Sequence, residues 1–141
     1  MAVIESSEIR AINPLHAVLL ASTVPLFLGG LVSDIAYSST YQIQWSNFSS
    51  WLLAGAMVFT GLALLWSFIE LIRARPHKGW PLISFLLLLV AFVVGLIDCF
   101  IHARDAFGTM PDGLIFSAIV TLIVIAATWA GFSSLRVGAP R

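Results

Sequence analysis

Residues 80–101 read WPLISFLLLLVAFVVGLIDCFI, and Asp98 is the one charged side chain in this run of 22 residues. A helix rises about 1.5 Å per residue, so a run of this length spans roughly the 30 Å of a bilayer's hydrocarbon core. A helix on the surface of a soluble protein would show a polar face, and this run has none. The run therefore predicts a helix that crosses a membrane.

Three further runs share this character, and each contains 22 or 23 residues. They are Leu15–Tyr37, Trp51–Ile72 and Gly113–Leu135. Together with Trp80–Ile101 they predict an all-α integral membrane protein, an antiparallel four-helix bundle made of two helical hairpins. The segments between them are too short to fold separately, so we expect residues 1–141 to form a single transmembrane domain. Leu15–Tyr37 lacks the basic flank and the cleavage site of a signal peptide, so we interpret it as a retained helix.

The overall composition agrees with a chain whose main partner is the lipid bilayer. Hydrophobic residues make up 60% of the chain and charged residues 10%, against about 25% charged residues in soluble domains. Seven Lys and Arg residues balance seven Asp and Glu residues, and this zero net charge predicts no nucleic-acid partner. Because Cys99 is the single cysteine, an intrachain disulfide is excluded.

The basic residues predict the orientation of the bundle. If the four helices alternate in direction, six of the seven Lys and Arg residues lie on one side and Arg104 lies on the other. Since basic residues concentrate in the cytoplasm, we expect both termini and the Arg73–Gly79 connection to be cytoplasmic. The Ser38–Ser50 and Ala103–Asp112 segments are then outer loops. The six residues on the cytoplasmic side are Arg10, Arg73, Arg75, Lys78, Arg136 and Arg141.

Small and polar residues at helical spacing predict which faces point into the bundle. In lipid, close packing of small side chains contributes more to helix association than hydrophobic sorting does. The simplest interpretation of these stripes is that they are packing seams. The stripe on the second run is Ala56, Thr60, Ala63, Ser67 and Glu70, and that on the fourth run is Ser117, Thr121, Thr128 and Gly131.

Ionisable residues near the predicted outer surface indicate a candidate site. Asp98 and His102 are four residues apart, so they share one face of a helix, and Asp34 lies at a similar depth in the first run. Ionisable groups inside a membrane usually face the bundle interior or a water-filled cavity. Such a site could move protons, hold a quinone head group or accept one cation. In the structural alternative, Asp98 orients His102 while Asp34 pairs with Arg104 or caps a loop. A metal site is less favoured because the ligands are few.

A fourth candidate, His16, opens the first run, on the predicted inner side near Arg10 and Glu70. The candidate cofactor-binding residues are thus His102, Asp98, Asp34 and His16, and haem b or quinone are the cofactors considered. His16 and His102 should lie at opposite surfaces, so both cannot ligate one haem, although a single axial histidine would still be compatible with haem. No catalytic motif such as Gly-x-Ser-x-Gly occurs, so we predict no catalytic residues and expect a protein that is not an enzyme.

Five short motifs carry a resemblance that covers the chain from about Ile12 to Leu135. They are NPLH at residues 13–16, GLVSD at 30–34, GLID at 95–98, MPDGL at 110–114 and TWAG at 128–131. With them the chain resembles an uncharacterised family of small bacterial membrane proteins, domain of unknown function 2231. The resemblance implies a four-helix membrane unit associated with redox proteins, sometimes joined to dehydrogenase-like domains. With the orientation predicted above, it also implies a location in a bacterial inner (plasma) membrane. This chain shows no dehydrogenase domain, so we expect any catalytic half to be a separate subunit.

The leading functional hypothesis is a non-catalytic membrane subunit or anchor of a redox or electron-transfer assembly, docking a membrane or periplasmic redox protein. The first alternative is a protein that binds quinone, haem or protons through His102, Asp98 and Asp34. The second alternative is a channel or transporter, and four helices would need to form a homo-oligomer for that function.

Overall fold

A computed structural model describes residues 12–73 and 79–133, which fold into helices without any strand. The helices are α1 (Pro14–Thr40), α2 (Ile43–Arg73), α3 (Gly79–His102), α4 (Ala106–Thr109) and α5 (Asp112–Ser133). Four of them, α1, α2, α3 and α5, are long and apolar enough to cross a membrane. The predicted all-α bundle of four antiparallel membrane helices is confirmed.

The long helices pack as two neighbouring hairpins. The most extensive contacts join α1 to α2 and α3 to α5, and the hairpins meet through α2 with α3 and α1 with α5. Helices α1 and α3 therefore face each other across the diagonal of the bundle, as do α2 and α5. Groups on diagonal helices can meet only near the bundle axis, which is where the candidate site lies.

The first connection differs from the prediction. We expected an outer loop at residues 38–50, but α1 continues to Thr40 and α2 begins at Ile43. Tyr41 adopts a left-handed conformation with φ of 53° at the end of α1, which turns the chain sharply. Polar residues after it lie in the first turns of α2, where Ser50 donates to the Ser46 carbonyl over 2.9 Å and Ser49 donates to the Gly30 carbonyl of α1 over 3.2 Å. Hydropathy alone cannot distinguish such a polar helical extension from a loop.

The other helix bounds lie close to the predicted ones. Asn13 caps α1, since its side chain accepts a hydrogen bond from the Leu15 N–H over 2.9 Å, and Pro14 occupies the first turn, where a missing N–H costs nothing. Pro25 lies within α1, which stays helical through it. The predicted end of the last helix at Leu135 lies outside the described residues.

The predicted small-residue stripes face inward. On α2 the buried residues are Ser46, Ser49, Leu53, Ala56, Thr60, Ala63 and Ser67, and on α5 they include Ser117, Thr121 and Gly131, with Thr128 half-buried. Two apolar layers fill the interior. One layer is Phe27, Leu53, Ala56, Ala91, Val120 and Val124, and the other is Leu19, Leu20, Ala63, Leu88 and Ala127. Large apolar side chains cover the outside of all four helices, as lipid contact requires.

The described residues bear on only part of the predicted orientation. Arg73 ends α2 and Arg104 follows α3, so these two residues lie at opposite ends of the antiparallel bundle. Five other basic residues of the orientation argument, Arg10, Arg75, Lys78, Arg136 and Arg141, lie outside the described residues. The cytoplasmic location of the termini stays a prediction.

Candidate functional site

Five polar side chains meet on the bundle axis and form what we call the Asp–His cluster: Asp34, Ser49, Asp98, His102 and Ser117. Each of the four long helices contributes at least one of them. The four Asp and Ser side chains are fully buried, and His102 is nearly so. The cluster therefore exists only when all four helices are assembled.

His102 is held between two carboxylates. Its Nε2 lies 2.9 Å from Asp34 Oδ1, and its Nδ1 lies 3.1 Å from Asp98 Oδ1. The predicted contact between Asp98 and His102, which are four residues apart on α3, is confirmed. Nδ1 is also 3.0 Å from the Asp98 backbone carbonyl, and Asp98 Oδ1 has no aligned hydrogen bond. The Nδ1–H thus donates to the carbonyl, and the contact with Asp98 Oδ1 is electrostatic.

The acceptors around the ring determine where its protons lie. An ionised carboxylate and a backbone carbonyl can only accept hydrogen bonds. Nε2 faces Asp34 and Nδ1 faces the Asp98 carbonyl, so each ring nitrogen carries a proton when Asp34 is ionised. In this arrangement His102 is an imidazolium cation.

The Ser117 hydroxyl bridges the two acids. Its Oγ lies 2.5 Å from Asp34 Oδ2 and 2.9 Å from Asp98 Oδ2. A hydroxyl has one proton to donate, so it cannot donate to both carboxyl groups. Hydroxyl bonds to carboxylates are shorter than those to neutral acceptors, so we assign Asp34, which has the shorter contact, as the acceptor. Asp98 then completes the network by donating its own carboxyl proton to Ser117.

Charge balance leads to the same arrangement. An imidazolium with two carboxylates would leave one net negative charge buried among apolar side chains, which is costly. With one proton on Asp98, the charges of His102 and Asp34 cancel. The hydrogen bonds and the charge balance therefore lead to the same assignment, in which one of the two carboxyl groups, that of Asp98, carries a proton.

The alternative partner expected for Asp34 is not the observed one. Asp34 pairs with His102, whereas Arg104 is exposed in the segment after α3. Sequence reasoning also missed two members of the cluster. Ser49 fell within the presumed loop, and Ser117 was interpreted only as part of a packing stripe, although its depth below the start of α5 is similar to that of Asp98 below the end of α3.

The fourth candidate, His16, lies apart from the other three. It is separated from Asp34 by about 27 Å along α1, at about 1.5 Å per residue. His16 Nδ1 lies 3.2 Å from Glu70 Oε2, and its Nε2 lies 3.3 Å from Ser67 Oγ. The expected proximity to Glu70 is confirmed, and Arg10 lies outside the described residues. The Trp66 indole N–H donates to Glu70 over 3.1 Å. We call these four residues the His16 cluster.

Neither cluster has the composition of a metal centre. Within residues 12–73 and 79–133, no group of three or more His, Cys, Asp or Glu side chains is arranged to hold a metal ion. Both nitrogens of His102 are already engaged by oxygen atoms. The carboxyl, imidazole and hydroxyl groups of the Asp–His cluster are all groups that can hold and pass protons.

The fold and the buried ion pair define a multi-pass membrane protein with an ionisable site on the axis of its helical bundle. The chain belongs to the family described as "Predicted membrane protein (DUF2231)", whose profile matches residues 12–136. Searches of curated proteins and of solved structures gave no significant match.

Proposed function

We propose that this protein is a non-catalytic membrane subunit of a redox or electron-transfer assembly and that it holds an exchangeable proton in its Asp–His cluster. The observation that carries the proposal is the position of Ser117 Oγ, within hydrogen-bond distance of both Asp34 and Asp98. Because a hydroxyl has one proton to donate, a proton on one of the two acids would complete the hydrogen bonds at this position.

The same geometry allows the proton to move between the acids. Asp98 gives its proton to Ser117 Oγ while Ser117 gives its own proton to Asp34. Ser117 remains a hydroxyl, Asp34 becomes the neutral acid and Asp98 becomes the carboxylate. No heavy atom needs to travel, since Ser117 already contacts both carboxyl groups. His102 remains hydrogen-bonded to Asp34 throughout and offsets the remaining negative charge.

Proton binding fits this site better than the other ligands that the sequence allowed. An axial haem bond to His102 would displace either Asp34 or the Asp98 carbonyl from the ring. A bound cation would take the place that the imidazolium already occupies. A quinone head group would need access to side chains that are fully buried. A proton needs no space beyond the existing hydrogen bonds.

The apolar interior of the bundle also favours a local proton site rather than a channel through one chain. Between the Asp–His cluster and the His16 cluster, the axis is filled by the apolar layers containing Phe27, Leu53 and Val124. Thr60 and Thr121 lie among them, but each donates to a carbonyl four residues earlier in its own helix. No polar chain links the two clusters within the described residues.

The assembly part of the proposal draws on the family resemblance and on general redox chemistry. When a carrier in a membrane accepts an electron, uptake of a proton nearby compensates the new charge. A buried group that exchanges one proton is suited to this role beside a redox subunit.

Infrared spectroscopy of the protein in lipid nanodiscs tests the proton site. We expect the carbonyl stretch of a protonated carboxylic acid at neutral pH, lost in Asp98→Asn and retained in Asp112→Asn, whose parent side chain is exposed in the first turn of α5. Absence of this band in the native protein, or its persistence in Asp98→Asn, would overturn the proton site.

Mass spectrometry of the tagged protein purified from native membranes in mild detergent tests the assembly. A dehydrogenase or cytochrome recovered in stoichiometric amount supports a redox subunit. Recovery of the chain alone in defined oligomers overturns the subunit role and favours a homo-oligomeric transporter.

A further inference from the structure

The segment between α3 and α5 covers the Asp–His cluster. His102 is the last residue of α3, so the cluster lies directly beneath residues 103–111, which include the short helix α4. Thr109 of α4 is fully buried. A methyl group placed on Gly113 would lie 2.7 Å from Thr109 Cγ2 and 2.9 Å from His102 Cε1, so the start of α5 lies against both the imidazole and Thr109 of α4.

One hydrogen bond from the first hairpin holds this cover in place. The Tyr37 hydroxyl donates to the Ala106 carbonyl over 2.9 Å, which fixes the first residue of α4 to α1. Tyr37 is fully buried, although its position near a membrane surface is one where an aromatic ring usually faces the head groups. Because Tyr37 is buried, its hydroxyl bonds to the Ala106 carbonyl inside the bundle instead of to the head groups.

The opposite direction is closed by apolar packing several residues thick. One turn deeper than the Asp–His cluster, α1 presents Gly30 and α2 presents Leu53, and two turns deeper lie Phe27, Ala56 and Val124, all buried. Opening a path there would disrupt the core of four helices. Opening a path on the other side needs only the movement of residues 103–111.

We infer that the Asp–His cluster exchanges its proton with the aqueous phase at the α4 end of the bundle only, and that the Tyr37–Ala106 hydrogen bond keeps α4 closed over it. The inference rests on the proposed function, because it states how the proton of that site is exchanged and on which side. On this route the cluster takes up its proton from the water at the α4 end of the bundle and releases it to the same side of the membrane.

Exchange of the His102 ring N–H protons with water, measured by NMR on nitrogen-labelled protein in nanodiscs, tests this route. Tyr37→Phe removes only the hydroxyl and should accelerate the exchange about fivefold, as expected for the loss of one neutral hydrogen bond. Tyr41→Phe is the matched control, since Tyr41 packs edge-on against Tyr37 at 5.7 Å but is itself exposed, and it should leave the rate unchanged.

A second variant makes the test independent of Tyr37. Thr109→Ser keeps a hydroxyl to donate to the Asp105 carbonyl, as Thr109 does over 3.3 Å, and removes the methyl group that packs against Gly113 beside the His102 ring. It should also accelerate exchange at His102. The ring of His16, at the other end of α1, serves as the internal reference, and its exchange rate should not change in either variant.

The outcomes separate this inference from the proton site itself. Unchanged rates at His102 in Tyr37→Phe and Thr109→Ser would overturn the route, even if the infrared band of Asp98 is present. Equal acceleration at His16 and His102 would also overturn it, because that result reports general loosening. Faster exchange at His102 without any carboxylic acid band supports the route and overturns the proton count.

Discussion

His102 Nε2 lies 2.9 Å from Asp34 Oδ1, and this bond joins α3 to α1 across the diagonal of the bundle. Helices on a diagonal share little packing surface, so a polar bond between them fixes an arrangement that side-chain packing alone would specify weakly. Since both partners are buried, the loss of either leaves the other charge uncompensated in an apolar interior.

Removal of the imidazole should therefore destabilise the protein strongly. We expect His102→Ala to lower the free energy of unfolding by about 3–5 kcal/mol, the range for breaking a buried ion pair. The comparison is His16→Ala, which we expect to cost less because the side chain of its partner Glu70 is 37% exposed and can be hydrated. Reversible denaturation in mixed micelles measures both values, and equal losses would contradict the special role of the diagonal pair.

Removal of the bridging hydroxyl should have a smaller but specific effect. Ser117→Ala removes the hydroxyl that links the Asp98 carboxyl proton to Asp34 Oδ2, so both groups lose a buried partner and we expect a loss of about 1–3 kcal/mol in the free energy of unfolding. Ser50→Ala is the matched control, because the Ser50 hydroxyl only returns a hydrogen bond to its own helix. The same denaturation assay applies, and a Ser117→Ala variant as stable as Ser50→Ala would refute the bridge.

The two acids should respond differently to conversion to an amide. An amide resembles a neutral carboxylic acid, so Asp98→Asn preserves the charge balance that we assign, whereas Asp34→Asn removes the anion that faces the imidazolium. We expect Asp34→Asn to have the lower thermal midpoint, by a difference equivalent to about 1–2 kcal/mol. Thermal unfolding of both variants side by side measures this, and the reverse order would place the proton on Asp34.

The contact between α5 and the imidazole should tolerate no side chain at Gly113. A methyl group there would approach His102 Cε1 to 2.9 Å, so Gly113→Ala must displace α4 or the ring, at a cost of about 1–3 kcal/mol. Gly108→Ala is the matched control, because nothing lies within 4 Å of a methyl group at that position. Denaturation gives the difference in free energy of unfolding between the two variants. Equal stability would contradict the prediction, because it would show that α4 and the ring can move away from Gly113 at no cost.

The predicted orientation can be read from cysteine labelling in cells. In a Cys99→Ser background, Phe107→Cys on the exposed face of α4 should react with a membrane-impermeant thiol reagent from outside, because the α4 end is predicted to be external. Arg73→Cys, at the other end of the bundle, should react only after the cells are permeabilised. The opposite labelling pattern would invert the predicted topology.

The sequence was sufficient for the four helices because lipid requires long apolar runs, and such runs are visible without a structure. It was insufficient at the start of α2, where Ser46 and Ser49 look like loop residues yet face inward and are buried. The pairing of Asp98 with His102 followed from spacing within one helix. The positions of Ser117 and Ser49 did not, because they depend on how each helix is rotated about its axis relative to its neighbours.

The distribution of the Asp–His cluster over both hairpins has a consequence for biogenesis. Asp34 enters the membrane with the first hairpin, while Asp98 and His102 enter with the second. Until the hairpins meet, each carries ionisable groups that lipid solvates poorly. The first hairpin must therefore wait near the insertion machinery, or keep Asp34 protonated, until α3 arrives. Assembly of the two hairpins is therefore the step that brings Asp34 to His102 and completes the buried ion pair.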